Sequence, residues 1–380
     1  MAHNLRARLR RIRESGAGGV STDSGGPYRD IRNTDHRAVS LPGPEWVSAG
    51  YLTAKRSLRL ALPSPALPAK LPRSLGILVP DIRRYPASPP QAKDLLFFDL
   101  ETTGLSTGPG TVAFLAGFGS LTGDGLRVDQ YLLLDYPGEN DFLEALLKEL
   151  SGTAPPLTVS YNGKSFDTQL LKIRCLMNGI GLPEYMQADL LHPCRRLWKR
   201  VLPSCSQAAI ESHALGLDRS GDIPGSLAPD IWFSFLKTGE SAELVKVCDH
   251  NVRDIAGLLG ILGALCKIAE NPFREGEIFR CDLESLALWW HRAVHIHGEG
   301  PFGPGTGKTG EALLRAAAEG GHRRAAYIYY RGLALEAEWK SRNPELALRY
   351  VDLFLALSEI QDTIGNEMSH RRKRLLEKMK

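Results

Sequence analysis

Leu95–Leu105 reads LLFFDLETTGL. Four apolar residues run into an acid, one more apolar residue follows, and a second acid precedes a Thr-Thr-Gly turn. A short apolar run of this kind predicts a buried strand. Asp99 and Glu101 lie two apart on it, so both side chains point to one face at the strand's end. Catalytic groups of α/β proteins gather at the carboxyl ends of strands. Alone, a D-x-E pair is equally the mark of a solvated strand end, so its meaning depends on other acids.

Two further acids stand in comparable places. Asp167 lies in Tyr161–Leu171, YNGKSFDTQLL, where a strand over Leu157–Tyr161 is predicted to pass into a helix over Ser165–Met177 with Ser165 as N-cap. Alone, Asp167 also reads as a first-turn helix acid. Asp254 lies in His250–Leu258, HNVRDIAGL, within a long apolar helix predicted over Ala242–Ala269. His250 precedes it by about one turn on the same helix face. Four carboxylates that meet in one place repel strongly unless a divalent cation sits among them. Hard cations take carboxylate oxygens. The sequence supplies carboxylates and no Cys/His cluster, so Mg²⁺ or Mn²⁺ is expected over Zn²⁺.

Outward from these acids the pattern is mixed. Val112–Leu121 and Leu126–Leu134 read as two strands joined at Gly123-Asp124-Gly125. Glu139–Leu150 has helical spacing, and Cys205–Leu215 reads as a further helix. The predicted fold class is therefore α/β, with an antiparallel hairpin leading into a parallel strand and helices on the sheet, over residues 91–271. Residues 1–90 begin with Arg6, Arg8, Arg10, Arg11 and Arg13 and become proline-rich, so a largely extended or disordered leader is expected. Within it, Pro44–Leu62 carries Trp46, Val47, Tyr51 and Leu52, which are costly to leave in water, and could dock on a neighbour. Residues 272–380 show helical patterns only. They read as a helical-hairpin module with tetratricopeptide-like units and a basic tail, Arg371, Arg372, Lys373 and Arg374, at a solvated helix end.

Composition bounds the function. The chain has 380 residues, 43% hydrophobic and 24% charged, as in soluble globular proteins. Its net charge of +4 permits a polyanionic partner without arguing for one. The longest uncharged apolar runs, Thr111–Leu121 and Ile255–Cys266, are too short to span a bilayer, so no membrane partner is expected. No apolar stretch follows the N-terminal arginines, so no secretory signal is expected. The six cysteines form no C-x-x-C pair and read as reduced thiols of a cytoplasmic protein.

DLETTG, YNGKSFD and HNVRD together resemble the three exonuclease motifs of the DEDD, or DnaQ-like, superfamily. TGPGTVAFLAGFGSL, YNGKSFDTQLLKIRC, DLLHPCRRLWK, DIPGSLAP and the upstream GPEWVSAGYLTAKR resemble the YprB-type ribonuclease-H-like exonuclease family more closely. The resemblance covers roughly Pro44 to Asn271. It implies a ribonuclease-H-like fold and 3′→5′ exonuclease chemistry on a nucleic acid, DNA or RNA, with two Mg²⁺ or Mn²⁺ ions. Asp99, Glu101, Asp167 and Asp254 fall on the family's metal-ligand positions. Two such ions, about 3.5–4 Å apart, serve the attacking water and the leaving oxygen of an in-line displacement.

The last motif departs from the superfamily pattern. One branch has Tyr with three residues before the final Asp, and the other has His with four. Here His250 stands at the tyrosine's spacing, with Asn251, Val252 and Arg253 between. His250 is the candidate to orient or deprotonate the attacking water; the alternative is a histidine on a helix surface. Thr102, Asn162 and Lys164 flank the first two motifs as candidate substrate contacts. Arg195 and Arg196 open a basic run with Lys199 and Arg200. That run reads either as a phosphate contact or as a solvated face with Leu197 and Trp198 turned inward. Asp189 reads as an acid near the site or as a strand-end residue.

Phe302–Thr309, FGPGTGKT, resembles a phosphate-binding loop, but Phe302 stands where the pattern needs glycine and no apolar strand leads in. It reads as a glycine-rich loop between helices. The function expected is a metal-dependent 3′→5′ exonuclease. The alternative is a weakly active or non-catalytic nucleic-acid-binding or scaffold protein, with the helical module as the surface for a protein partner.

Overall fold

Leu95, Leu96, Phe97 and Phe98 are all buried on an interior strand of a seven-stranded sheet. The computed structural model describes residues 41–380 apart from 87–88, 105, 124, 152–155 and 358–361. The strands are β1 (Val47–Gly50), β2 (Thr53–Leu60), β3 (Leu95–Thr102), β4 (Ala113–Thr122), β5 (Gly125–Leu133), β6 (Leu157–Ser160) and β7 (Met186–Asp189), in the order β1-β2-β5-β4-β3-β6-β7. β3 pairs antiparallel with β4 and parallel with β6, and β7 extends the parallel half. This is the mixed sheet flanked by helices that the sequence predicts.

Helices follow in chain order. They are α1 (Leu75–Leu78), α2 (Glu139–Leu150), α3 (Asp167–Met177), α4 (Leu191–Trp198), α5 (Gln207–Ile210), α6 (Ala228–Thr238) and α7 (Ala242–Glu270). Then come α8 (Pro272–Ile278), α9 (Leu283–His297), α10 (Thr306–Glu319), α11 (Arg323–Leu335), α12 (Pro344–Leu355) and α13 (Thr363–Lys378). α9 to α13 pack each on the next.

Three elements differ from the expectation. Residues 47–60, placed in an irregular leader, form β1 and β2 and extend the sheet beyond β5. Their strand character is masked by charged residues that find partners once paired. Lys55 meets Asp129 at 3.6 Å and Glu149 at 3.4 Å, while Arg56 lies over Trp46 and reaches Glu45 and Asp249. The basic start at Arg6–Arg13 lies outside the described residues. The second difference is β7, whose four residues, Met-Gln-Ala-Asp, give no hydrophobic signal but are held by parallel pairing to β6. Third, α3 begins at Asp167 rather than Ser165. Asn162, at φ +65°, turns the chain, and the amides of Ser165 and Phe166 bond back to its carbonyl before the helix starts.

The long helix α7 lies on one face of the sheet, and glycine makes the close approach possible. A Cβ on Gly117 would overlap Asn251 Oδ1, and one on Gly119 would crowd Ile255 and Phe97. Asn251 is wholly buried and donates to Asp99 Oδ2 at 2.9 Å, while Gln130 Nε2 donates to its Oδ1 at 2.7 Å. The neighbouring Tyr131 instead meets Glu149 of α2, because successive strand residues face opposite ways. α7 and α2 therefore cover opposite faces. The core runs on from α7 into Leu286, Trp289, Trp290, Leu313 and Leu314, so packing is continuous across Asn271.

Gly117→Ala is expected to cost about 1–3 kcal/mol, the usual penalty of overpacking. Urea unfolding of the variant beside the native chain measures it, and an unchanged midpoint would show that α7 can back away from the sheet freely.

Candidate active site

The end of β3 presents Asp99 and Glu101, α3 contributes its first residue, Asp167, and α7 contributes His250 and Asp254. His250 Nε2 lies 3.3 Å from Asp254 Oδ2 and 4.0 Å from Glu101 Oε1. Ligand atoms of Glu101, His250 and Asp254 all fall within 4.8 Å of one another. The spacing of His250 thus brings it onto the acids; it is not a histidine on an open helix surface. Glu101 is 8% exposed and Asp167 5%.

Electrostatics binds the four acids into one group. Burial holds the Asp99 carboxyl well above its ordinary range, and Asp254, Glu101 and Asp167 push it further. Glu101 is raised by burial and then by Asp254, Asp167 and Asp222. Asp167 rises from 3.8 to about 7 through burial and the nearby Asp189. Carboxylates that destabilise one another in this way form an oxygen-rich donor set suited to a hard divalent cation. The residues present therefore fit a metal of the Mg²⁺ or Mn²⁺ kind.

The other sequence candidates divide. Thr102 is buried and donates to the Gly104 carbonyl at 2.8 Å, fixing the turn after Glu101. Asn162 is exposed, and its amide donates to Asp189 Oδ1 at 2.8 Å. Asp189, only 1% exposed, also accepts from the amides of Lys164 and Leu191. It is a strand-end acid that secures the turn leading to Asp167. Lys164 Nζ lies 2.6 Å from Asp81, so it is paired within the chain. Arg195 is exposed, whereas Arg196 stacks over Trp289 at 4.6 Å and Arg200 pairs with Glu284 and Asp282 of the α9 start. Leu197 and Trp198 point inward, as in the solvated-face reading of that run. At the glycine-rich loop, Glu299 accepts from the amides of Gly305 and Gly307, both at 2.9 Å. A carboxylate of the chain itself thus sits where a phosphate would have to bind.

Sequence reasoning missed Asn251, Asp222, Arg219 and Glu211. Asn251 stands inside the third motif, and its only signal is being a polar residue on an apolar helix face. Asp222 Oδ2 lies 2.9 Å from His250 Nδ1 and from Arg219 Nη1. Arg219 and Asp222 sit in a loop turned by Gly221 at φ +83°, with no periodicity to mark them.

A family model described as the RNase_H superfamily matches residues 96–266. The order β5-β4-β3-β6-β7, antiparallel then parallel, with the acids at its centre, agrees with that match: residues 96–266 have a ribonuclease-H-like fold. Part of the chain is similar to a YprB protein. The chain is 38% identical over 171 residues to "Uncharacterized protein YprB" of Bacillus subtilis (strain 168), covering 44% of this chain and 41% of that one. The chain thus spans less than half the length of that curated relative. The family B DNA polymerase from the hyperthermophilic archaeon Pyrobaculum calidifontis aligns at TM-score 0.37 and 13% identity, over 54% of this chain and 29% of that chain. A likeness of that size carries no argument. Among the described residues, no helix is long and apolar enough to cross a membrane, and all six cysteines are free.

Two outcomes follow for the metal-free protein. Asp167 takes up a proton more readily folded than unfolded, so it contributes stability at low pH. That contribution is lost as pH rises from the ordinary Asp value of 3.8 to about 7. The melting temperature in EDTA is expected to fall across that window, and Asp167→Asn to flatten the fall. Asp99→Asn is expected to raise metal-free stability by relieving repulsion. Asp254→Asn is not, because its carboxylate forms an ion pair with Arg219 at 2.7 Å. Equal melting shifts for Asp99→Asn and Asp254→Asn would refute this difference.

Proposed function

We propose that the chain is a metal-dependent nuclease acting as a 3′→5′ exonuclease on a nucleic acid. The observation that carries this reading is the meeting of Glu101 and Asp254 at His250, with Asp99 and Asp167 close enough to act electrostatically on the same group. Asp99, Glu101, Asp167 and Asp254 would hold two Mg²⁺ or Mn²⁺ ions. Such ions supply charge neutralisation for an in-line attack on phosphorus and for the departing oxygen.

The chain's own groups then have distinct tasks. Asp222 takes the Nδ1 side of His250 at 2.9 Å, which leaves Nε2 facing Glu101 and Asp254. With Nδ1 protonated, Nε2 is the acceptor for a proton of the attacking water. The offset of His250 is consistent with this role, because one helical turn keeps imidazole and Asp254 adjacent. Asn162 and Arg195, both exposed, remain as candidate contacts to sugar and phosphate. Lys164 and Arg196, held by Asp81 and Trp289, are weaker candidates unless substrate displaces those contacts.

The test is digestion of 3′- and 5′-labelled single and double strands of DNA and RNA, with Mg²⁺, Mn²⁺ or EDTA. Stepwise loss from the 3′ end is expected with metal, none in EDTA, and none with Asp99→Asn. Shortening that persists in Asp99→Asn would sink the site assignment. No shortening of any strand would favour a non-catalytic binding protein.

A further inference from the structure

Behind the acids lies a second charged layer that the proposed reaction does not use. Glu211 is wholly buried, and α7 admits it because Gly257 has no side chain; a Cβ there would overlap Glu211 Oε1. Arg219 Nε donates to Glu211 Oε2 at 2.7 Å, with Nη2 at 2.6 Å from the same oxygen. Gln207 Nε2 donates to Glu211 Oε1 at 2.8 Å and to the Asp254 carbonyl at 2.7 Å. The guanidinium is thereby fixed in its plane. Its remaining reach is to Asp254 Oδ1, 2.7 Å from Nη2, and to Asp222 Oδ2, 2.9 Å from Nη1.

From this geometry we infer that Arg219 is the positioning residue of the site, acting through Asp254 and Asp222. The inference rests on the acids being a divalent-cation site. Arg219 takes one oxygen of Asp254 and turns the other, Oδ2, toward His250 Nε2 at 3.3 Å. It holds Asp222 in the orientation that meets His250 Nδ1. One planar cation thus sets the direction of a metal ligand and of the imidazole's anchor. Lysine cannot copy this, because an ammonium is a point charge and cannot span three carboxylates in a fixed fork. A plain counter-ion would behave differently: it would compete with the metal, and its removal would tighten metal binding.

The experiment is Mn²⁺ titration of the full chain by calorimetry, with melting in EDTA as the control on folding. Arg219→Lys and Arg219→Met are expected to weaken Mn²⁺ binding about 10–100-fold, the usual effect of losing a group that orients a ligand. Glu211→Gln, which frees the guanidinium without removing it, is expected to act in the same direction. At saturating Mn²⁺, the paramagnetic resonance spectrum of the bound ion should differ between Arg219→Lys and the native chain, which a change in stability alone does not produce. Native or tighter affinity in Arg219→Lys would overturn the inference. If Arg219→Met fails to fold, because Glu211 is left unpaired, Arg219→Lys decides. Asp254→Asn separates the two readings. Native Mn²⁺ affinity in that variant would remove the metal site itself, whereas loss there with native affinity in Arg219→Lys removes only the role of Arg219.

Discussion

Four carboxylates in one partly buried corner are a cost that the rest of the molecule is arranged to carry. Burial raises the proton affinity of both Asp99 and Glu101, and Asp254 and Asp167 add to the rise. The chain answers with a buried polar relay. Arg56 on β2 donates to Gln130 on β5, Gln130 to Asn251 on α7, and Asn251 to Asp99 on β3. Each donor reaches an acceptor without leaving the core, so the relay ties the outer strands to the site. The two glycines of β4 belong to the same arrangement, because without them α7 could not come close enough for Asn251 to reach Asp99.

The opposite side of the site is organised by ion pairs rather than amides. Arg219 and Asp222 sit on an irregular loop, where a backbone ladder cannot hold them, and buried Glu211 takes over that work. Lone buried charges are destabilising, and an interlocked set with shared hydrogen bonds is the form in which they persist. The strand side of the site therefore has its shape set by packing, and the loop side has its shape set by charge.

The fold was legible where apolar pattern and backbone agree. β3, β4, β5 and α7 carry strong hydrophobic signals, and their predicted limits lie within a residue or two of the observed ones. β1, β2 and β7 were not legible as strands, because charged or polar residues occupy positions that pairing alone makes favourable. Of the site, the acids and His250 could be read from motif and spacing. Arg219, Asp222 and Glu211 could not, since their roles come from contacts across a loop and a helix that no local pattern encodes. Lys164 and Arg196 were read as available cations, but availability depends on Asp81 and Trp289, far away in sequence.

The continuous core beyond Asn271 bears on how separable the helical segment is. Trp198 of α4 donates its indole N–H to the Phe279 carbonyl, Arg196 lies on Trp289, and Trp290 donates to the Thr306 carbonyl. These contacts seal one flank of the sheet domain with residues from its far end. A chain cut after α7 would bare that flank, leaving a large apolar surface where an ordinary boundary would show polar residues. The helices thus pack as an outer wall of the sheet domain, and the two share one core.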